Sequence, residues 1–170
     1  MIETKDLVLD KGKLEDYLDM YENVWSRKEC SQYMFWDITK NREDALDRMR
    51  RTIAFQSQHD VYTLYEKKSC KAIGYAGFEK VKEGVYQEIG ICIGPDYMGK
   101  GYGKQVLKAL IEYVKEEYDA EEFIYRSRKE NIPSIRLARS LGFNKIDEEE
   151  SLMEKDGRHH ILEVYNLDLK

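Results

Sequence analysis

The sequence predicts a mixed α/β domain, and three features point there. Strand-like runs joined by tight turns fill the middle and the end of the chain. Two helical patterns are each flanked by strands. A glycine-rich turn joins a β-branched strand to an amphipathic helix. Hairpins beside strand–helix–strand crossovers give an α/β (α+β) fold with a mixed sheet. The 170 residues, 42% hydrophobic and 36% charged, make one domain, residues 1–170, large enough for a core without disulfides or metal.

Taken in order, Ile2 to Asp10 reads as a strand with Leu7 and Leu9 on one face. Leu14, Tyr17, Leu18, Tyr21, Val24 and Trp25 then recur at helical spacing. Gln32 to Lys40 has no period and reads as loop, and Leu46, Met49 and Ile53 mark a helix over Asn41 to Ser57. Val61 to Lys67 and Ala72 to Val81 are strands around the turn Lys68 to Lys71. Tyr86 to Ile93 follows, with strict alternation setting Ile89, Ile91 and Ile93 on one face and Glu88, Gly90 and Cys92 on the other. Gly94 to Gly103 opens a helix bearing Val106, Leu107, Leu110, Ile111 and Val114. Glu121 to Ser127 is a strand, and a helix from Asn131 ends at Gly142. Phe143 to Met153 and His159 to Leu169 form a last hairpin about Asp156-Gly157.

Composition excludes several functions. Lys+Arg 28 against Asp+Glu 33 leaves a net charge of −5, a field that repels nucleic-acid phosphates and draws in cationic amines or peptides. Cys30, Cys70 and Cys92 are odd in number and widely spaced, which fits neither a disulfide framework nor a zinc ribbon and points to a reducing, cytoplasmic setting. The N-terminus carries charges where a signal peptide needs an apolar core, so none is expected, and no apolar run reaches the ~20 residues of a membrane helix. His159 and His160 are neighbours on a strand and face opposite ways, so no metal site is expected.

Gly99, Gly101 and Gly103 alternate between a β-branched strand and the first turn of a helix. Glycine lets backbone amides approach a ligand, and a helix N-terminus attracts an anion such as pyrophosphate. Lys100 and Lys104 add charge there. Gln105 after Lys104 breaks the Walker pattern, and Lys104 occupies the last glycine position of the dinucleotide fingerprint. A tight turn without ligand is the alternative.

Met98-Gly99-Lys100-Gly101-Tyr102-Gly103 resembles the (R/Q)-x-x-G-x-(G/A) turn of the GNAT superfamily of N-acetyltransferases, with Met98 where Arg or Gln is usual. Asn131-Ile132-Pro133-Ser134, closing on Leu141-Gly142-Phe143, resembles that family's second motif. With Tyr125-Arg126-Ser127 before it, the chain looks like the branch that acetylates ribosomal-protein N-termini, such as ribosomal-protein-alanine N-acetyltransferases. The resemblance implies a mostly antiparallel seven-stranded sheet, four helices and a splay between the fourth and fifth strands. It implies acetyl-CoA as co-substrate: pyrophosphate on Met98 to Lys104, the pantetheine arm along Ile91, Cys92 and Ile93, and Asn131 bonding the arm from the other side.

The implied reaction is acetyl transfer to a primary amine, a protein N-terminus or a small molecule, by direct attack in a ternary complex. Glu88 is the candidate base, because a protonated amine is no nucleophile. A backbone amide near Ile91 is the candidate oxyanion donor. Many relatives carry a Tyr acid where this chain has Ala138, so Ser134 is the local hydroxyl to protonate the thiolate. Tyr33, Phe35, Trp36 and Asp37 form an aromatic–acidic cluster suited to an amine pocket, or to packing of the loop. A non-catalytic acyl-CoA-binding sensor is the alternative function. The C-terminal hairpin offers an edge on which two copies could pair.

Overall fold

The computed structural model describes residues 1–170. The first expected strand is two. β1 (Ile2–Glu3) folds back on β2 (Leu7–Asp10), because the Thr4 hydroxyl accepts from the Leu7 N–H at 2.9 Å and closes a turn. The expected first helix runs unbroken from Leu14 to Trp25 but changes pitch, with a 3₁₀ turn at Leu14–Asp16, α1 (Tyr17–Met20) and a wide π turn at Tyr21–Trp25; a separate short α2 (Lys28–Ser31) follows. α3 (Arg42–Gln56) starts where the Asn41 side chain accepts from the Asp44 N–H at 2.9 Å, an N-cap.

The meander is β3 (Val61–Glu66), β4 (Ala72–Lys82) and β5 (Val85–Ile93). α4 (Tyr102–Tyr118), β6 (Glu122–Arg128), α5 (Ile132–Ser140), β7 (Asn144–Met153) and β8 (Arg158–Asp168) follow. Eight strands form one sheet in the order β1-β2-β3-β4-β5-β6-β8-β7, one more than expected because the first is split. Helices cover both faces. Val106, Leu107, Leu110 and Val114 of α4 are fully buried against Leu9, Leu64, Ile73 and Phe78. On the other face Met20, Val24, Trp25 and Met49 pack on Ala72 and Cys92.

The junction of β5 and β6 positions the site. It is the sheet's parallel pairing, and it lasts only from Val85 opposite Glu122 to Gln87 opposite Ile124. Beyond Gln87 the strands part. On the other side of β5, Glu88 pairs with Phe78 and Ile91 with Ala76, so Ile89 and Gly90 together face Gly77. Such a bulge bends its strand, and Gly90 takes it with φ +137°. The extra residue corrects the strict alternation expected here. Glu88 falls in phase with Ile91 and Ile93, and Ile89 falls out of it.

Candidate active site

The parted strands open a cleft of about 930 Å³. One of its walls is made of backbone. Gly99 and Gly101 have φ of +76° and +78°, and open space surrounds both α-carbons. α4 begins at Gly101 with no side-chain cap, and no backbone N–H from Gly99 to Lys104 donates within the protein. That row of free amides at a helix N-terminus suits an anion. From Glu88 to Ile93, β5 offers a strand edge with no neighbour, onto which an extended ligand can pair.

Ile91, Cys92, Ile93, Met98, Gly99, Gly101, Tyr102, Gly103, Lys104 and Asn131 all line the cleft. Lys100 does not. Its ammonium turns 3.5 Å from the Glu66 carboxylate and over the Tyr97 ring. Glu66 is buried and also accepts from Ser69 and Tyr102 hydroxyls, each at 2.7 Å; these bonds hold its carboxyl below the usual range. Lys100 and Tyr102 therefore fasten the turn to β3, and the charge on the cleft side is Lys104, which makes no ion pair.

Glu88 is partly buried at the point where β5 leaves β6, and burial pushes its carboxyl up to about 8 against a bond from the Gly90 N–H. Ser134 also lines the cleft and shares a 2.8 Å hydrogen bond with the Tyr125 phenol, which burial holds far above its usual value. Asn131 caps α5, its side-chain oxygen accepting from the Ser134 N–H at 3.3 Å. Cys92 reaches the buried Cys30; that hydrogen bond, then burial, pushes the Cys92 thiol well up. Ala138 is fully buried in the core.

The other wall is made of side chains. Tyr33 and Phe35 line the cleft, whereas Trp36 and Asp37 do not. The Trp36 indole donates to Tyr75 at 2.8 Å with Arg48 stacked 4.3 Å above it, so it packs the loop to the sheet. Asp37 is exposed and outside the cleft lining, so the cation anchor expected at this position does not face the cleft. Opposite Tyr33 stand Arg126, Arg128 and His160. Tyr125 belongs to the α4–α5 core, so alternation turns both arginines to the opposite face.

The model of the acetyltransferase (GNAT) domain family matches residues 6–144. The chain belongs to the GNAT family. An uncharacterized N-acetyltransferase, p20, from Bacillus licheniformis is 30% identical over 147 residues, 84% of this chain and 81% of that protein. Two solved structures share the fold of this acetyltransferase. A GNAT-family acetyltransferase from Bacillus anthracis has a TM-score of 0.83 at 18% identity, over 98% of this chain and 97% of that one. RimL, a ribosomal alpha-N-protein acetyltransferase in complex with coenzyme A, has 0.78 at 18% identity, over 97% and 95%. No helix of the GNAT chain is long and apolar enough to cross a membrane.

Sequence reasoning missed Gln87, Arg126, Arg128, Met153 and His160 as cleft residues of this acetyltransferase. The alternation of Tyr125-Arg126-Ser127-Arg128 held the signal for both arginines. His160 enters only through strand pairing, which sets Arg128 opposite Leu162, two residues from it.

Proposed function

We propose that this protein transfers the acetyl group of acetyl-CoA to a primary amine by direct attack within a ternary complex. One observation carries the reading: the free amide row, the unpaired β5 edge and a carboxyl raised to about 8 meet in one cleft. The amides of Gly99 to Lys104 hold the pyrophosphate, and the β5 edge pairs with the extended arm, which brings the thioester beside Glu88. Glu88 takes the proton of the acceptor ammonium, directly or through one water, freeing the nitrogen lone pair. A backbone N–H near Ile91 faces the oxygen that gains charge as the new C–N bond forms. As the C–S bond breaks, Ser134, paired with Tyr125, passes a proton to the thiolate and is restored by the second proton that leaves the nitrogen. The bond to Cys30 and burial both raise the Cys92 thiol, which favours direct attack over an acetyl-cysteine route.

Thermal unfolding with acetyl-CoA, and with ATP and NAD as controls, tests the cofactor half. Ligand at about 100 times its Kd adds roughly 2.7 kcal/mol, a rise of about 5–10 °C for a domain of this size. A shift with acetyl-CoA alone, followed by CoA release in the presence of amines, supports the reading. No shift at saturating concentration removes it.

A further inference from the structure

The acceptor wall holds a cation with more donors than partners. Arg128 lines the cleft with its side chain only 11% exposed. A guanidinium has five N–H donors. Nη1 donates to the Gln32 carbonyl at 3.3 Å and meets the Met153 thioether, a weak acceptor, at 3.2 Å. Nη2 donates to the His160 ring. Nε is buried without a hydrogen bond, although the exposed Glu130 carboxylate stands 3.5 Å away. Arg126 in the same wall is different, because Glu149 at 3.2 Å and Gln87 take up its donors.

The guanidinium is also held in place. His160 Nε2 donates to Asp156 at 2.9 Å, which leaves Nδ1 to accept from Arg128. The Tyr33 ring packs 5.5 Å from the guanidinium carbon. A fixed planar fork with spare donors matches a carboxylate.

We propose that Arg128 is a specificity residue that receives a carboxylate of the acceptor, with His160 and Asp156 positioning it. The acceptor is then a short amine that also carries a carboxylate, such as a small peptide, and not a polyamine. This rests on Glu88 as the base of an acetyltransferase. The Tyr125 phenol, paired with Ser134, stands at the reaction, and Arg128 lies three residues farther along β6, roughly 10 Å at ~3.3 Å per residue. An extended tripeptide spans about that distance between its ends.

The experiment compares CoA release with trialanine, with trialaninamide and with spermidine. Wild type is expected to favour trialanine over its amide about ten- to hundred-fold in kcat/KM, chiefly through KM. Arg128→Ala brings that ratio close to one. Arg128→Lys keeps the charge without the fork and falls between, and it stands in should the alanine variant fail to fold. An Arg128 that only clasps the Gln32–Tyr33 loop would move both peptides alike and leave the ratio unchanged, which overturns the proposal. So does equal use of acid and amide by wild type, or a preference for spermidine, and either leaves the acetyltransferase reading intact. If nothing is turned over, calorimetry on the CoA-loaded protein decides. Tighter binding of trialanine than of its amide, lost in Arg128→Ala, upholds the subsite while the transferase reading fails; equal or absent binding overturns it.

Discussion

The two walls of the cleft do their work with different parts of the chain. The cofactor side is backbone, a strand edge and a turn that follow one another from Glu88 to Lys104. The acceptor side is side chains, and its members come from the loop at Tyr33, from β6 and from the last hairpin. A backbone site needs only a turn, a helix start and glycines with positive φ, so it is contiguous in sequence. A side-chain site is assembled by strand pairing, which brings Arg128 and His160 together across 32 residues. Substitutions on the first wall should act through conformation, and those on the second through chemistry.

Glu88 stands where the walls meet, and its loss should have the largest effect. Glu88→Gln is expected to lower kcat by about 10²–10⁴-fold, while the thermal shift with acetyl-CoA persists. On the proposed reading Glu88 works deprotonated, so kcat/KM of the wild type should climb as pH rises through about 8. In Glu88→Gln that limb disappears, and only the acceptor's own ionisation remains. Stability should run the other way. A carboxyl raised from 4.5 to about 8 keeps its proton in the folded protein after the unfolded chain has released it. Its contribution is complete below the unfolded value and is lost as pH rises through the folded one. Above pH 8 the Gln variant should therefore melt higher than wild type, and below pH 4 the two should coincide. A variant that melts lower at alkaline pH would break the burial argument.

Gly101→Ala tests the backbone wall. A Cβ at Gly101 meets nothing within 4 Å, so strain comes from φ +78° alone. The cost is about 1–2 kcal/mol in folding, read by denaturant titration, with a loss of acetyl-CoA affinity of about ten-fold or more as the amides shift. If the wall acts only on the cofactor, the acid-to-amide ratio stays as in wild type. A changed ratio would mean that the two halves are coupled through the turn. Ser134→Ala should have a smaller effect, several-fold in kcat, because the Tyr125 phenol next to it remains as a proton source.

The division also explains what the sequence disclosed. The glycine turn, α4, α5 and the succession of strands and helices along the chain were readable because each is set by local periodicity and by turn residues. The parting of β5 from β6 came only through family resemblance, and the bulge at Gly90 not at all. A glycine in a β-branched run fits a plain strand until the pairing of Glu88 with Phe78 and Ile91 with Ala76 is known. Trp36 and Asp37 misled for a related reason. Composition cannot distinguish an aromatic that lines a pocket from one that packs its loop, as Trp36 does on Tyr75 and Arg48.

Asn131 is the position where the two kinds of wall overlap, and the smallest of these effects separates them. Its Oδ1 caps α5, and its Nδ2 is the group available to the cofactor arm. Asn131→Ala removes both and should cost about 1 kcal/mol of folding free energy. Asn131→Asp keeps an oxygen at the cap, with a charge that the helix N-terminus favours, so its stability should stay near that of wild type. What the aspartate lacks is the amide donor. Its acetyl-CoA affinity should therefore fall about five- to ten-fold, as expected for one lost neutral hydrogen bond, without any fall in melting temperature. If the Asp variant keeps full affinity, Asn131 acts on the cofactor only by setting the start of α5, and through it the place of Ser134. The second motif would then belong with the backbone wall, and the side-chain contacts of the cleft would lie on the acceptor side, Glu88 and the Ser134–Tyr125 pair excepted.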